Sequence, residues 1–142
     1  MHSISDILRR KGTDIWSTAP DETVLDAIRL MAEHGVGALL VMRNDQLVGL
    51  ISERDYSRKV ILKGLRSRDT AVESVMSAPV LTIAPDATVR EGLAMMTDKY
   101  IRHLPVTDDS GVIGIVSIGD LVKAVIEEQA TVIEHLERYI TG

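Results

Sequence analysis

The phrase "GLISERD" at residues 49–55 returns as "GIVSIGD" at residues 114–120, 65 positions further on. Each is a short apolar, β-branched run that ends in Ser-x-x-Asp. The run reads as a strand, and a Ser followed three residues later by an acid is the signature of a capped helix start. Working outward from the two phrases, the same shift of 65 superposes residues 19–60 on residues 84–125 without a gap. Identical pairs include Pro20/Pro85, Asp21/Asp86, Thr23/Thr88, Val24/Val89, Met31/Met96, Leu39/Leu104, Val41/Val106, Gly49/Gly114, Ser52/Ser117 and Asp55/Asp120. Most of the remaining pairs keep their apolar character, so the chain is internally duplicated.

Each copy reads alike. Thr23 and Thr88 are expected to cap a helix, with Asp26 and Glu91 completing a capping box. Val24, Ala27, Ile28 and Met31 form one apolar stripe, and Gly35 is suited to a left-handed helix terminus. Tyr100 stands where the second copy would need that glycine, so its helix is expected to end differently. Two β runs follow ("ALLVM" and "LVGLIS", then "HLPVT" and "VIGIVS"), joined by the polar turns "RNDQ" and "DDSG" as antiparallel hairpins. A second helix starts at Ser52 or Ser117. With the extended pieces "DIWST" and "PVLTI", each copy is β-α-β-β-α. The fold class is therefore α/β in the α+β sense, with two repeats expected to pack sheet against sheet about a pseudo-twofold axis, since neither half can bury its sheet alone. The expected organisation is an N-terminal helix at 1–12, repeat 1 at 13–64, a linker at 65–79, repeat 2 at 80–126 and a helical extension at 127–142. The linker is expected to hold one short helix, capped by Thr70 with Glu73.

Composition narrows the function. The 142 residues include no Cys, which excludes disulfides, thiolate zinc sites and Cys nucleophiles. A net charge of -5 and only one Trp, three Tyr and no Phe argue against a nucleic-acid partner. No long apolar run or charged-then-apolar leader is present, so a cytoplasmic protein without a membrane partner is expected. No nucleophile elbow, phosphate-binding loop, metal-ligand cluster or G-x-G-x-x-G fingerprint occurs, and the expectation is a protein that is not an enzyme and needs no catalytic cofactor. The cations Arg54, Arg58, Lys59, Lys63, Arg66 and Arg68 cluster, either as a solvated helix face or as an anion site.

These residues resemble tandem cystathionine-β-synthase (CBS) domains, the paired regulatory unit called a Bateman module. The two "GhhSxxD" phrases carry the resemblance, together with "PDETVLDAIRLM", "PDATVREGLAMM", "IRHLPV" at 101–106 and "VMSAPVLTI" at 75–83. It spans about residues 10–126. The resemblance implies adenine nucleotides as ligands (AMP, ADP, ATP, NAD(H) or S-adenosylmethionine) in clefts between the repeats, and a stand-alone module that signals occupancy to a regulated protein. It implies a base pocket at Ile15, Trp16 and Ser17 in the first copy and at Val80, Leu81 and Thr82 in the second, with Ile101 as an apolar wall. Phosphate is implied at Arg102 and His103, whose first-copy counterparts Gly37 and Ala38 offer backbone only. Arg54, Arg58 and Lys59 are the local compensation.

The repeated Ser-x-x-Asp has two readings. Ser52 with Asp55, and Ser117 with Asp120, can be plain capping boxes. Equally, a helix N-terminus offers N–H groups and positive potential to a ligand, and the Asp can accept both hydroxyls of a ribose. Trp16 can likewise be a core plug, and Arg102 with His103 a surface Arg beside a partly buried His. After Asp120 the chain predicts a helix of about twenty residues, with Val122, Val125, Ile126, Ala130, Ile133, Leu136 and Ile140 at helical spacing. That stripe requires a partner: Ile4, Ile7 and Leu8 of this chain, or the same helix in a homodimer. The competing function is a structural dimerisation module with degenerate ligand pockets.

Overall fold

Thr23 and Thr88 cap their helices because each hydroxyl accepts the backbone N–H three residues on, from Asp26 and from Glu91. In the computed structural model, which describes residues 2–141, these caps open α2 (Val24–His34) and α4 (Val89–Lys99). The full capping box forms only at Thr88, where Glu91 returns the bond; Asp26 turns instead to Arg29, 3.7 Å away. Both helices end in the left-handed conformation, Gly35 at φ 64° and Tyr100 at φ 55°. The expectation that α4 ends differently is thereby corrected: Tyr100 adopts the glycine geometry, and its N–H still reaches the Met96 carbonyl.

The chain divides into two compact units. The first is Ile15–Leu81; the second joins the residues up to Asp14 with those from Thr82 onward. In the first unit β1 (Ser17–Thr18) runs parallel to β2 (Ala38–Arg43), which pairs antiparallel with β3 (Gln46–Ser52). Asn44 and Asp45 both take positive φ, as a two-residue hairpin turn requires. Directly after Ser52, α3 (Glu53–Tyr56) continues as a π-helical turn at Ser57–Ile61. The core collects Val24, Ala27, Met31, Leu39, Val41, Ile51 and Val60. Val72 and Val75 complete it from the linker. The linker is two 3-10 turns, Ser67–Asp69 and Val72–Ser74. The expected Thr70–Glu73 box is absent: the Thr70 hydroxyl donates to the Arg66 carbonyl, and Glu73 pairs with Arg43.

The second unit repeats the plan with α4, β4 (His103–Asp108) and β5 (Gly111–Ser117), then α5 (Ile118–Thr141). Its leading strand shrinks to a bridge between Ile83 and Val106. The cause is Pro105, which stands where Leu40 stands in the first copy. Leu40 donates its N–H to the Trp16 carbonyl at 3.2 Å, and proline has no N–H to donate. The core holds Ile83, Val89, Met96, Leu104, Val106, Val116, Leu121 and Ala124. It is closed by α1 (Ile4–Lys11), whose Ile4, Ile7 and Leu8 are buried there. Leu8 packs on Gly114, where an added Cβ would fall 2.7 Å from its Cδ2. Met76 does the same to Gly49 in the first unit. Ser3 bridges to Thr88 as Ala71 bridges to Thr23, so α1 and the linker turn are structural equivalents. No helix among the described residues is long and apolar enough to cross a membrane.

Candidate functional site

In each unit the hairpin brings the opening of its first strand to the end of its second. Ala38 lies opposite Ser52, and His103 lies opposite Ser117. The first helical N–H beyond each serine is taken by the residue that precedes the hairpin's first strand: Glu53 N donates to the Gly37 carbonyl at 3.0 Å, and Ile118 N to the Arg102 carbonyl at 2.8 Å. The two Ser-x-x-Asp phrases therefore occupy the same corner of their folds, beside Gly37 and Ala38 in one unit and Arg102 and His103 in the other.

Both phrases form capping boxes. Asp55 N donates to Ser52 Oγ at 3.2 Å, and Ser52 N returns a 2.9 Å bond to Asp55 Oδ2. Asp120 N donates to Ser117 Oγ at 3.2 Å, and Ser117 N to Asp120 Oδ2 at 2.8 Å. Each carboxylate also holds a lysine. Lys59 lies 3.0 Å from Asp55 Oδ1, and its ammonium donates to the Val75 carbonyl. Lys11 lies 2.7 Å from Asp120 Oδ2 and donates to the Ile115 carbonyl. One lysine belongs to the helix that Asp55 opens, whereas the other arrives from α1, more than a hundred residues away in sequence.

The electrostatics follow from these contacts. Burial pushes the Asp120 carboxyl up, but the Lys11 ammonium and the Ser117 bonds outweigh it and hold Asp120 below the ordinary carboxylate value. Burial, then the charge of Lys11, lowers His103 against the opposing pull of Asp120. Arg10, Lys11 and Lys123 face Asp120 and Glu127 around a groove of about 120 Å³. That is well below the roughly 300 to 1,000 Å³ of a drug-sized ligand pocket, so this groove alone accommodates a single small group. In the first unit, Gly37, Glu53 and Tyr56 border a larger cleft of about 470 Å³ floored by Ile28 and Met31.

The remaining candidates divide by unit. Ile15 is half-buried and Ser17 exposed; Ser17 pairs with Leu40, two residues from Ala38, and Ile15 precedes the strand. Trp16 is no core plug: the residue is 37% exposed and its ring stacks on His34, with centroids 3.5 Å apart and planes 6° from parallel. Arg54 is half-buried and Arg58 exposed, flanking the lysine-paired Asp55 on α3 and its continuation. Thr82 opens the second unit, half-buried, while Val80 and Leu81 close the first. Ile101 packs on the second core, and Arg102 is exposed beside a half-buried His103. Two participants escaped sequence reasoning, Lys11 and His34. A signal for Lys11 existed: at an offset of 68, Ile4, Ile7 and Leu8 match Val72, Val75 and Met76, which marks α1 as the second copy's closing element.

The family profile described as "CBS domain" matches residues 4–61 and 72–127. Over 150 aligned residues the chain is 41% identical to the CBS domain-containing protein CBSX3, mitochondrial, of Arabidopsis thaliana, covering 99% of this chain and 72% of that protein. A candidate signal-transduction protein with CBS domains from Burkholderia ambifaria superposes with a TM-score of 0.87 at 45% identity, over 90% of this chain and 96% of the other. A CBS-domain containing protein from Agrobacterium tumefaciens superposes with a TM-score of 0.82 at 32% identity, over 87% and 98% of the two chains.

Proposed function

The chain belongs to the CBS-domain family as a tandem pair, and on that premise we propose that it is a regulatory adenine-nucleotide-binding module of the cytoplasm. In this reading AMP, ADP, ATP, NAD(H) or a related adenosine compound such as S-adenosylmethionine binds without being turned over, and a homodimer of the chain passes occupancy to a partner protein. The observation that supports it is the repeated corner: a helix N-terminus, an aspartate one turn in, a lysine on that aspartate and a strand opening alongside, with the lysine supplied from a different part of the chain in each copy. Asp55 and Asp120 take the ribose hydroxyls, and the strands at 15–17 and 80–82 border the base, with Ile101 as a further wall. Ser52 and Ser117 hold the aspartates. Arg54, Arg58 and Lys59 in one copy, and Arg102 and His103 in the other, face phosphate. Because Gly37 and Ala38 carry no charge, the two sites differ in strength.

Calorimetry with AMP on the wild type, Asp55→Ala and Asp120→Ala tests this. Each variant is expected to lose about ten- to hundredfold affinity in one class of site while sparing the other, the effect of removing charge-assisted hydrogen bonds of about 1.5 to 3 kcal/mol. One observation favours a second reading, a structural dimerisation module: both carboxylates are already engaged by their own boxes and lysines. That reading expects the Ala variants to bind AMP like the wild type and to lose about 1 kcal/mol of stability with the caps.

A further inference from the structure

We propose that the exposed part of α5 pairs with the same helix of a second copy as an antiparallel coiled coil centred on Thr131. This rests on the homodimer of the preceding section and adds its geometry. Val122, Ile126, Gln129, Ile133, Leu136 and Ile140 alternate at spacings of four and three, which is the seam of a heptad repeat. The second unit's own core takes Leu121 and Ala124, with Val125 half-buried against it, and no later residue of the helix. Beyond it Ile126, Ile133, Leu136 and Ile140 are 59%, 55%, 56% and 80% exposed. The in-chain partner, α1, covers the first turns of the helix: Ile4, Ile7 and Leu8 share the core with Leu121, Ala124 and Val125. On the outer face Arg138 pairs with Glu134, leaving the seam free of intrahelical ion pairs.

The flanking charges choose the direction. Lys123, Ala130 and Glu137 line one side of the seam, and Val125, Val132 and Tyr139 the other. In an antiparallel pair each flank meets itself. Lys123 then faces Glu137 of the second copy twice, Ala130 meets its own counterpart at the twofold axis, and the apolar flank stacks Val132 on Val132 and Val125 on Tyr139. Seam layers become Val122 with Ile140, Ile126 with Leu136 and Gln129 with Ile133. A parallel pair sets each flank against the other, so Glu137 would face Val132 and Lys123 would face Ile118, with no complementary charge. Among the described residues neither Lys123 nor Glu137 takes part in a salt bridge, whereas Glu127 and Asp120 of the same helix do. Small Ala130 beside Gln129 leaves that amide a path to water at the axis.

The absence of cysteine makes the register directly readable. Single Ala130→Cys and Ile140→Cys variants of the full chain are sized by light scattering and treated with a short bis-maleimide. Dimers in which position 130 cross-links to itself and position 140 does not are the expected result. The ends of antiparallel helices lie about 27 Å apart over these eighteen residues. Glu137→Lys is expected to weaken the dimer about tenfold, by placing like charges together, and Lys123→Glu in the same chain to restore it. A dimer that cross-links at 140, or at neither position, overturns the register and leaves the homodimer standing. A monomer at every concentration overturns both.

Discussion

At the scale of single residues, the second corner is organised around Lys11. Its ammonium meets a carboxylate and a carbonyl, and its charge helps keep His103 neutral. Under the proposed function, a nucleotide that takes Asp120 would have to share that carboxylate with Lys11. The two titratable neighbours act in separate pH windows. Asp120 has a lowered folded value, so its contribution is complete above the ordinary carboxyl value of 3.8 and is lost as pH falls through the folded one. His103 is also lowered, but for a base this means the fold prefers the uncharged ring. Its contribution is complete above the ordinary 6.5 and declines as pH falls from there toward the folded value. Urea midpoints at pH 7.5 and 5.5 should therefore show the second unit less stable at the lower pH, and His103→Asn should flatten that difference. An equal drop in the variant would assign the dependence to other groups.

Among elements, the two repeats solve the same problem with different residues. Helix α2 stops at a glycine, whereas α4 stops at Tyr100, 86% exposed and held at φ 55°. A left-handed conformation costs a side-chain-bearing residue about 1 to 2 kcal/mol, part of which glycine returns through its looser unfolded chain. Tyr100→Gly is expected to raise stability by about 0.5 to 1 kcal/mol, measured by reversible denaturation. A loss of stability would mean that the tyrosine ring makes a compensating contact. Likewise Pro105 deletes the ladder bond that Leu40 makes, so the leading strand is anchored by a two-residue ladder in the first unit and a single bridge in the second. The copies are alike in frame and unlike in their stiffness at the candidate site.

For the molecule as a whole, chain order and structural order differ. The helix before repeat 1 completes repeat 2, and the linker after repeat 1 completes repeat 1. Deleting residues 1–12 removes Ile4, Ile7 and Leu8 from the second core, each worth about 1.5 to 3 kcal/mol of burial. Hydrogen exchange should then show β4 and β5 unprotected while β2 and β3 keep their protection; equal loss in both would show that the units fold as one. Sequence alone determined the duplication, the hairpins, the helix caps at Thr23 and Thr88 and the two Ser-x-x-Asp corners, because these depend on periodicity and on bonds spanning three or four residues. It also determined that α5 outruns its domain. Tertiary structure decided the rest: that α1 closes the distant core, that Lys11 sits on Asp120, that Trp16 stacks on His34 and that Tyr100 bends like a glycine. Those contacts join residues far apart in the chain, or a backbone held against its own preference, and packing energy rather than local pattern selects them.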